Sequence, residues 1–142
     1  MSVKQLSVFS ENKHGSLYEV TEILSEAGIN IRAFSVADTE KYGVIRMIVS
    51  DARKAAAALS ENDKIVRPTD VVAVKVSDTA GGLSSLLGVL AANNVNLDYL
   101  YAFVANDDGC ANVVLRVADN EFTEKILVSA GFTLLTDDDI KK

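Results

Sequence analysis

Gly15, Leu17, Leu24, Asn30 and Gly43 recur 66 positions later as Gly81, Leu83, Leu90, Asn96 and Gly109. In a chain of 142 residues, self-similarity at a fixed offset near half the length means two copies of one small unit. The constraint is severe. Each copy has about 70 residues, close to the lower limit for an independent core, so each is expected to lean on the other. A hydrophobic content of 49% is enough for one core per copy. The kept positions are not mainly core positions, since a Gly-ended loop before a helix and an Asn after it occur twice.

Hydrophobic periodicity gives the elements of each copy. Lys4 to Phe9 alternates as a strand, with Leu6 and Val8 facing away from Gln5, Ser7 and Phe9. From Ser16 the period becomes helical, with Leu17, Val20, Leu24 and Ala27 on one face and Gly28 as the left-handed cap. Strands are predicted over Asn30 to Ala37 and Val44 to Val49, around a polar turn from Asp38 to Gly43. Asp51 caps an Ala-rich helix from Ala52 to Leu59. A short strand near Ile65-Val66 then ends at Pro68, the sole proline.

The second copy repeats this order. Val71 to Val76 reads as a strand, Ser77 to Gly82 as the loop, and Leu83, Leu86, Leu87 and Leu90 as a helical stripe. Asn94 takes the place of Gly28. Strands follow at Asn96 to Val104 and Cys110 to Val117, around a turn Asn106-Asp107-Asp108-Gly109. A helix opens at Asp119 or Asn120 and closes at Gly131, before a last strand from Phe132 to Leu135. The acidic run Asp137-Asp138-Asp139 reads as a solvated tail.

The order βαββαβ, twice, predicts an α+β chain of two ferredoxin-like domains, residues 1–68 and 69–142. In that topology the strand after the first helix lies at a sheet edge, and exposed edges seek partners. The expectation is two antiparallel sheets joined edge to edge into eight strands, with the helices on one face.

Charge and cysteine content exclude several functions. A net charge of −6 argues against a nucleic-acid surface, which needs a basic stripe. One cysteine, Cys110, rules out an internal disulfide and a Cys-based metal cluster. His14 is the only histidine, so neither a His pair at ligand spacing nor a nucleophile with a base is in sight, and no cofactor or metal is expected. No apolar run approaches 18 residues and no signal sequence is seen, so the expected location is cytoplasmic, away from membranes.

The repeated loop has chemistry of its own. The first N–H groups of each following helix lack internal partners, and with the helix dipole they favour an anion such as a carboxylate. Gly15 and the pair Gly81-Gly82 let backbone come close to a ligand. Asn30 and Asn96, at the start of the edge strand, each offer donors and an acceptor. Carboxylate at the helix start and ammonium at an Asn oxygen, Asp78 or a backbone carbonyl would make an amino-acid site. The bland alternative is that Gly and Asn are only turn residues. Tyr99 and Tyr101 project from one sheet face, as packing or as a cover for a ligand. Arg32, Arg46 and Arg116 are candidate carboxylate partners or ordinary strand arginines.

The segments Asn12-Lys13-His14-Gly15-Ser16-Leu17 and Leu24 through Gly28-Ile29-Asn30-Ile31 resemble an ACT domain. So do Asp78-Thr79-Ala80-Gly81-Gly82-Leu83 and Leu90 through Val95-Asn96-Leu97, with departures at Asp78 and Asn94. The resemblance covers the whole chain, as a stand-alone tandem pair, and implies the ferredoxin-like fold and a regulatory, allosteric role. It also implies amino-acid binding between paired domains. In the regulatory domain of phosphoglycerate dehydrogenase, which the chain resembles locally, the contacts fall on the positions of Asn12 and Asn30. Asp78 and Asn96 are their repeat counterparts, and Ser10 stands where that enzyme has His.

The expected function is therefore a non-enzymatic sensor that binds a free amino acid at the interface between its two units, each half-site completed by the other copy, and acts on itself as a homo-oligomer (a dimer) or on an enzyme partner. The alternative is an interaction module without its own ligand, such as a regulatory subunit of a biosynthetic enzyme like acetolactate synthase. An enzyme on this scaffold is disfavoured by the lack of clustered acid, base or nucleophile.

Overall fold

A computed structural model describes residues 2–11, 14–38, 42–104 and 109–141. The elements run β1 (Val3–Glu11), α1 (Ser16–Glu26), β2 (Ile31–Asp38), β3 (Tyr42–Val49), α2 (Ala52–Glu61) and β4 (Ile65–Ser77). They continue with α3 (Gly82–Ala92), β5 (Leu97–Ala102), β6 (Cys110–Val117), α4 (Asn120–Ser129) and α5 (Asp137–Ile140). The chain divides into two compact units, Lys4–Thr69 with Ile140–Lys142, and Asp70–Asp139 with Met1–Val3. They are called the N- and C-terminal units below.

In the N-terminal unit β3 lies between β2 and β1, antiparallel to both. Leu6 and Val8 of β1, with Ile45, Met47 and Val49 of β3, form one buried surface. Val20 and Leu24 of α1 and Ala55 and Leu59 of α2 pack on it. The alternation of the strands and the helical period of the helices thus meet on a single face. The C-terminal unit repeats the plan. Val72, Val74 and Val76 of β4 and Val113, Leu115 and Val117 of β6 take Leu86, Leu90 and Leu127 from α3 and α4.

The helix stripes are narrower than predicted. Leu17, Leu83 and Leu87 are 40%, 41% and 37% exposed. In α3 the core face is set by Gly82, Leu86 and Leu90, and Leu83 and Leu87 fall beside it. Caps follow the sequence. Gly28 (φ 74°), Asn94 (φ 57°) and Gly131 (φ 93°) adopt the left-handed conformation that ends a helix.

The predicted eight strands are six, in the order β2-β3-β1-β4-β6-β5 among the described residues. Two differences account for the change. The strand near Ile65-Val66 does not stop at Pro68 but continues through Ser77, so the last strand of the first copy and the first of the second are one element. The strand at Phe132 to Leu135 shrinks to a single bridge, Val74 to Leu134, flanked by the bonds Lys75 N–H to Thr133 O and Leu135 N–H to Ala73 O. β2 and β5 end the strand order among the described residues.

The repeat itself needs correcting at one position. Leu6 pairs with Met47 and Val72 with Leu115, so β3 and β6 are related by an offset of 68, two more than the first half of each copy. Gly43 faces Ser10, while Ala111, not Gly109, faces Val76, the counterpart of Ser10. The matching glycines are a coincidence of numbering. The predicted turn around Asn106, Asp107 and Asp108 lies outside the described residues. The acidic tail is a short helix, with Thr136 N–H and Oγ1 both donating to Asp139 Oδ2 (2.8 and 3.0 Å) and Ile140 buried.

Candidate functional site

The four longer helices start in two different ways. Asp51 begins α2 and accepts the N–H of Lys54 at 3.1 Å, and Asp119 begins α4 and accepts the N–H of Phe122 at 3.1 Å. These are ordinary carboxylate caps. Helices α1 and α3, which carry the repeated loop, start instead at Gly15 (φ 81°) and Gly81 (φ 88°) with no side-chain cap bond. No side chain therefore takes up their first-turn N–H groups, although in α3 the N–H of Gly82 bonds back to the carbonyl of Thr79.

The loops are held by local bonds. In the N-terminal unit Ser16 Oγ donates to the carbonyl of Glu11 at 2.9 Å, drawing the helix start back onto the end of β1. His14 and Gly15 are exposed. In the C-terminal unit Asp78 N–H reaches Gly109 O (3.3 Å), Gly82 N–H reaches Thr79 O (3.0 Å), and the hydroxyls of Ser77 and Thr79 lie 2.8 Å apart. Asp78, Thr79, Ala80 and Gly81 are exposed, but Gly82 is buried, and a Cβ at that position would meet the carbonyl oxygen of Ser77. Asn12 and Lys13 lie outside the described residues.

At the other end of each unit stands the repeated asparagine. The backbone of Asn30 is fixed by Ser50, whose Oγ accepts its N–H (3.0 Å) and whose N–H donates to its carbonyl (2.9 Å). The side chains of Asn30 and Asn96 are exposed and make no hydrogen bond to the described residues. Ile31 and Leu97 follow, half-buried against their cores. Immediately after comes a feature the sequence did not reveal. The ladder of β2 slips between Ile31 and Ala33, and that of β5 between Leu97 and Tyr99, so both edge strands bulge at the same repeat position. Bulges re-aim side chains and often sit beside binding sites.

Register shows that the two halves of the candidate site do not meet within one unit. β1 ends with Glu11 opposite Tyr42, whereas β2 begins with Ile31 opposite Val49. In the C-terminal unit Ser77 faces Cys110 and Leu97 faces Val117. Loop and asparagine are thus seven ladder positions apart in each, about 24 Å at the rise of a strand. No single amino acid spans that distance.

Among the remaining candidates, Tyr99 and Tyr101 do share a face, stacked with ring centroids 6.3 Å apart and planes at 21°. Arg116 Nη1 donates to the carbonyl of Val117 (3.0 Å). Sequence reasoning missed Gln5 and Ser7, both buried, with Gln5 Nε2 donating to Ser7 Oγ at 3.4 Å. Their alternation with Leu6 and Val8 was legible, but nothing in the sequence showed that the second face of β1 is covered. Among the described residues no group of three or more His, Cys, Asp or Glu can hold a metal ion. Nor is any helix among those residues long and apolar enough to cross a membrane.

Two βαββαβ-type units with Gly-started first helices define a tandem ferredoxin-like chain. The family is then settled by comparison: the model of the ACT domain pair matches residues 1–142, and the chain belongs to that family. Protein BT0572 from Bacteroides thetaiotaomicron is 39% identical in its crystal structure, with a TM-score of 0.92 over 100% of this chain and 97% of that one. The regulatory subunit of aspartate kinase from Thermus thermophilus, in its ligand-free form, shares the fold at 18% identity and a TM-score of 0.64, covering 89% of this chain and 88% of its own. The aspartokinase alpha and beta subunits match at 16% identity and a TM-score of 0.61, over 89% and 90% of the two chains. No curated protein sequence matches the chain.

Proposed function

We propose that this ACT domain pair, with residues 1–68 and 69–142 as its two domains, is a non-enzymatic cytoplasmic sensor of a free amino acid. Each site takes the ligand carboxylate at a Gly-started helix and the ammonium at a strand-opening asparagine of another unit. The observation that carries this reading is the repeated pairing of an uncapped helix start with an exposed, unbonded Asn, held about 24 Å apart in each unit. Because β2 and β5 are the end strands of the order, the completing unit is assigned to a second chain. Asn12 to Leu17 with Asn30–Ile31, and Asp78 to Leu83 with Asn96–Leu97, are the two half-sites. The fold shared with regulatory subunits of aspartate kinase supports an enzyme of amino-acid biosynthesis as the regulated partner.

Ligand binding to the assembled state stabilises it by mass action and couples binding to association. In a thermal-shift screen of the twenty amino acids, one or a few chemically related ones are expected to raise the Tm with rising concentration. Asn30→Ala with Asn96→Ala is expected to abolish the shift. A flat response across all twenty would sink the proposal.

A further inference from the structure

The duplication allows the asparagine ends of the two candidate sites to be compared residue by residue. Asn30-Ile31-Arg32 leads into β2, and Asn96-Leu97-Asp98, 66 positions on, leads into β5. The first residue is kept, the second stays apolar, and the third changes the sign of its charge. That third residue is the bulged one. Arg32 is the extra residue between Ile31 opposite Val49 and Ala33 opposite Ile48. Asp98 is the extra residue between Leu97 opposite Val117 and Tyr99 opposite Arg116.

Ile31 and Leu97 pack against their cores, so the residues on either side of each lie on the other side of the strand. Asn96 and Asp98 therefore share a side. Both are exposed, and Asp98 makes neither a hydrogen bond nor an ion pair to the described residues. The cation of the facing strand, Arg116, gives its Nη1 to the carbonyl of Val117. In the first copy Arg32 is half-buried at the same place. The backbone differs as well, because Ser50, whose hydroxyl accepts the N–H of Asn30, is Ala118 in the second copy. Asn30 thus has an anchoring bond that Asn96 lacks.

We infer that Asp98 receives the ammonium of the ligand together with Asn96, and that Arg32 closes the Asn30 end to it, so that each chain binds one amino acid rather than two. This rests on the amino-acid reading proposed above and assigns its specificity. An ammonium brings only donors and needs acceptors. The Asn96 side chain supplies one acceptor oxygen, and Asp98 adds two that carry the opposite charge. Bonds to an ionised acceptor are shorter and roughly twice as strong as neutral ones. A guanidinium has no acceptor whatever it is bonded to, and its charge repels an ammonium. The two ends therefore offer one ligand group opposite receptions.

Isothermal titration of the full chain with each of the twenty amino acids reads affinity and stoichiometry together. The one that binds is expected at a single ligand per chain. Asp98→Asn, which keeps the shape and removes the charge, is expected to bind it about tenfold more weakly. The N-acetyl derivative of the same amino acid, which has no ammonium, is expected to show a similar loss on the wild type. Arg32→Asp is expected to add a second ligand per chain. Should that variant fail to fold by circular dichroism, Arg32→Gln, which supplies an uncharged acceptor, carries the same expectation at lower affinity. Two equal sites in the wild type, or an affinity unchanged in Asp98→Asn, would overturn the inference and leave the amino-acid reading standing. A folded Arg32 variant that still takes one ligand would overturn it too. Binding of none of the twenty would remove both.

Discussion

Each unit contains both kinds of helix start, and the difference is one of residue type. Asp51 and Asp119 satisfy a backbone donor of their own helix, so Asp51→Ala and Asp119→Ala are each expected to lose about 1 kcal/mol in urea unfolding. Gly82 is the opposite case. A Cβ there would run into the carbonyl of Ser77, and the backbone of a loop–helix junction has little room to give. Gly82→Ala is expected to cost about 1–3 kcal/mol by overpacking, read from the same denaturant curves. Ser16, its counterpart in the first copy, bears a side chain and uses it to hold the loop. Caps and the loop glycines were readable from the sequence, because each is a local rule about one backbone position. Burial of Gln5 and Ser7 was not, because it depends on what lies across the sheet.

At the level of elements, the order of strands and helices was legible and two boundaries were not. Pro68 reads as a strand end because it lacks a donor, yet it removes only one ladder bond, and β4 runs through it. The last predicted strand, Phe132 to Leu135, has the right residues but pairs at one position only. The bulges of β2 and β5 left no trace in composition, since Arg32 and Asp98 at the bulged positions share no special conformational preference. The candidate site was legible to the same depth. Gly15, Gly81, Asn30 and Asn96 were found by their repetition, while their separation within a unit needed the ladder register. Leu24→Ala and Leu90→Ala, at equivalent buried positions of α1 and α3, are each expected to destabilise by about 2–5 kcal/mol. A markedly smaller cost for one of them in chemical denaturation would mean that the two cores do not contribute alike.

For the whole molecule, β4 is the feature that matters most. Val66 packs against the N-terminal core, and Val72, Val74 and Val76 belong to the C-terminal one. One strand therefore contributes to both, with no loop between. A single calorimetric transition is expected, and two well-resolved peaks would count against this view. The shared strand also governs how such a protein can change over generations. Side chains of a strand alternate with a period of two, and all four of those valines occupy even positions. An insertion or deletion of one residue between Val66 and Val72 would turn one copy's valines out of its core, whereas a change of two would keep both sets in phase. Length variation at this junction is thus subject to a parity rule, and the seam left by the duplication is open only to changes in steps of two.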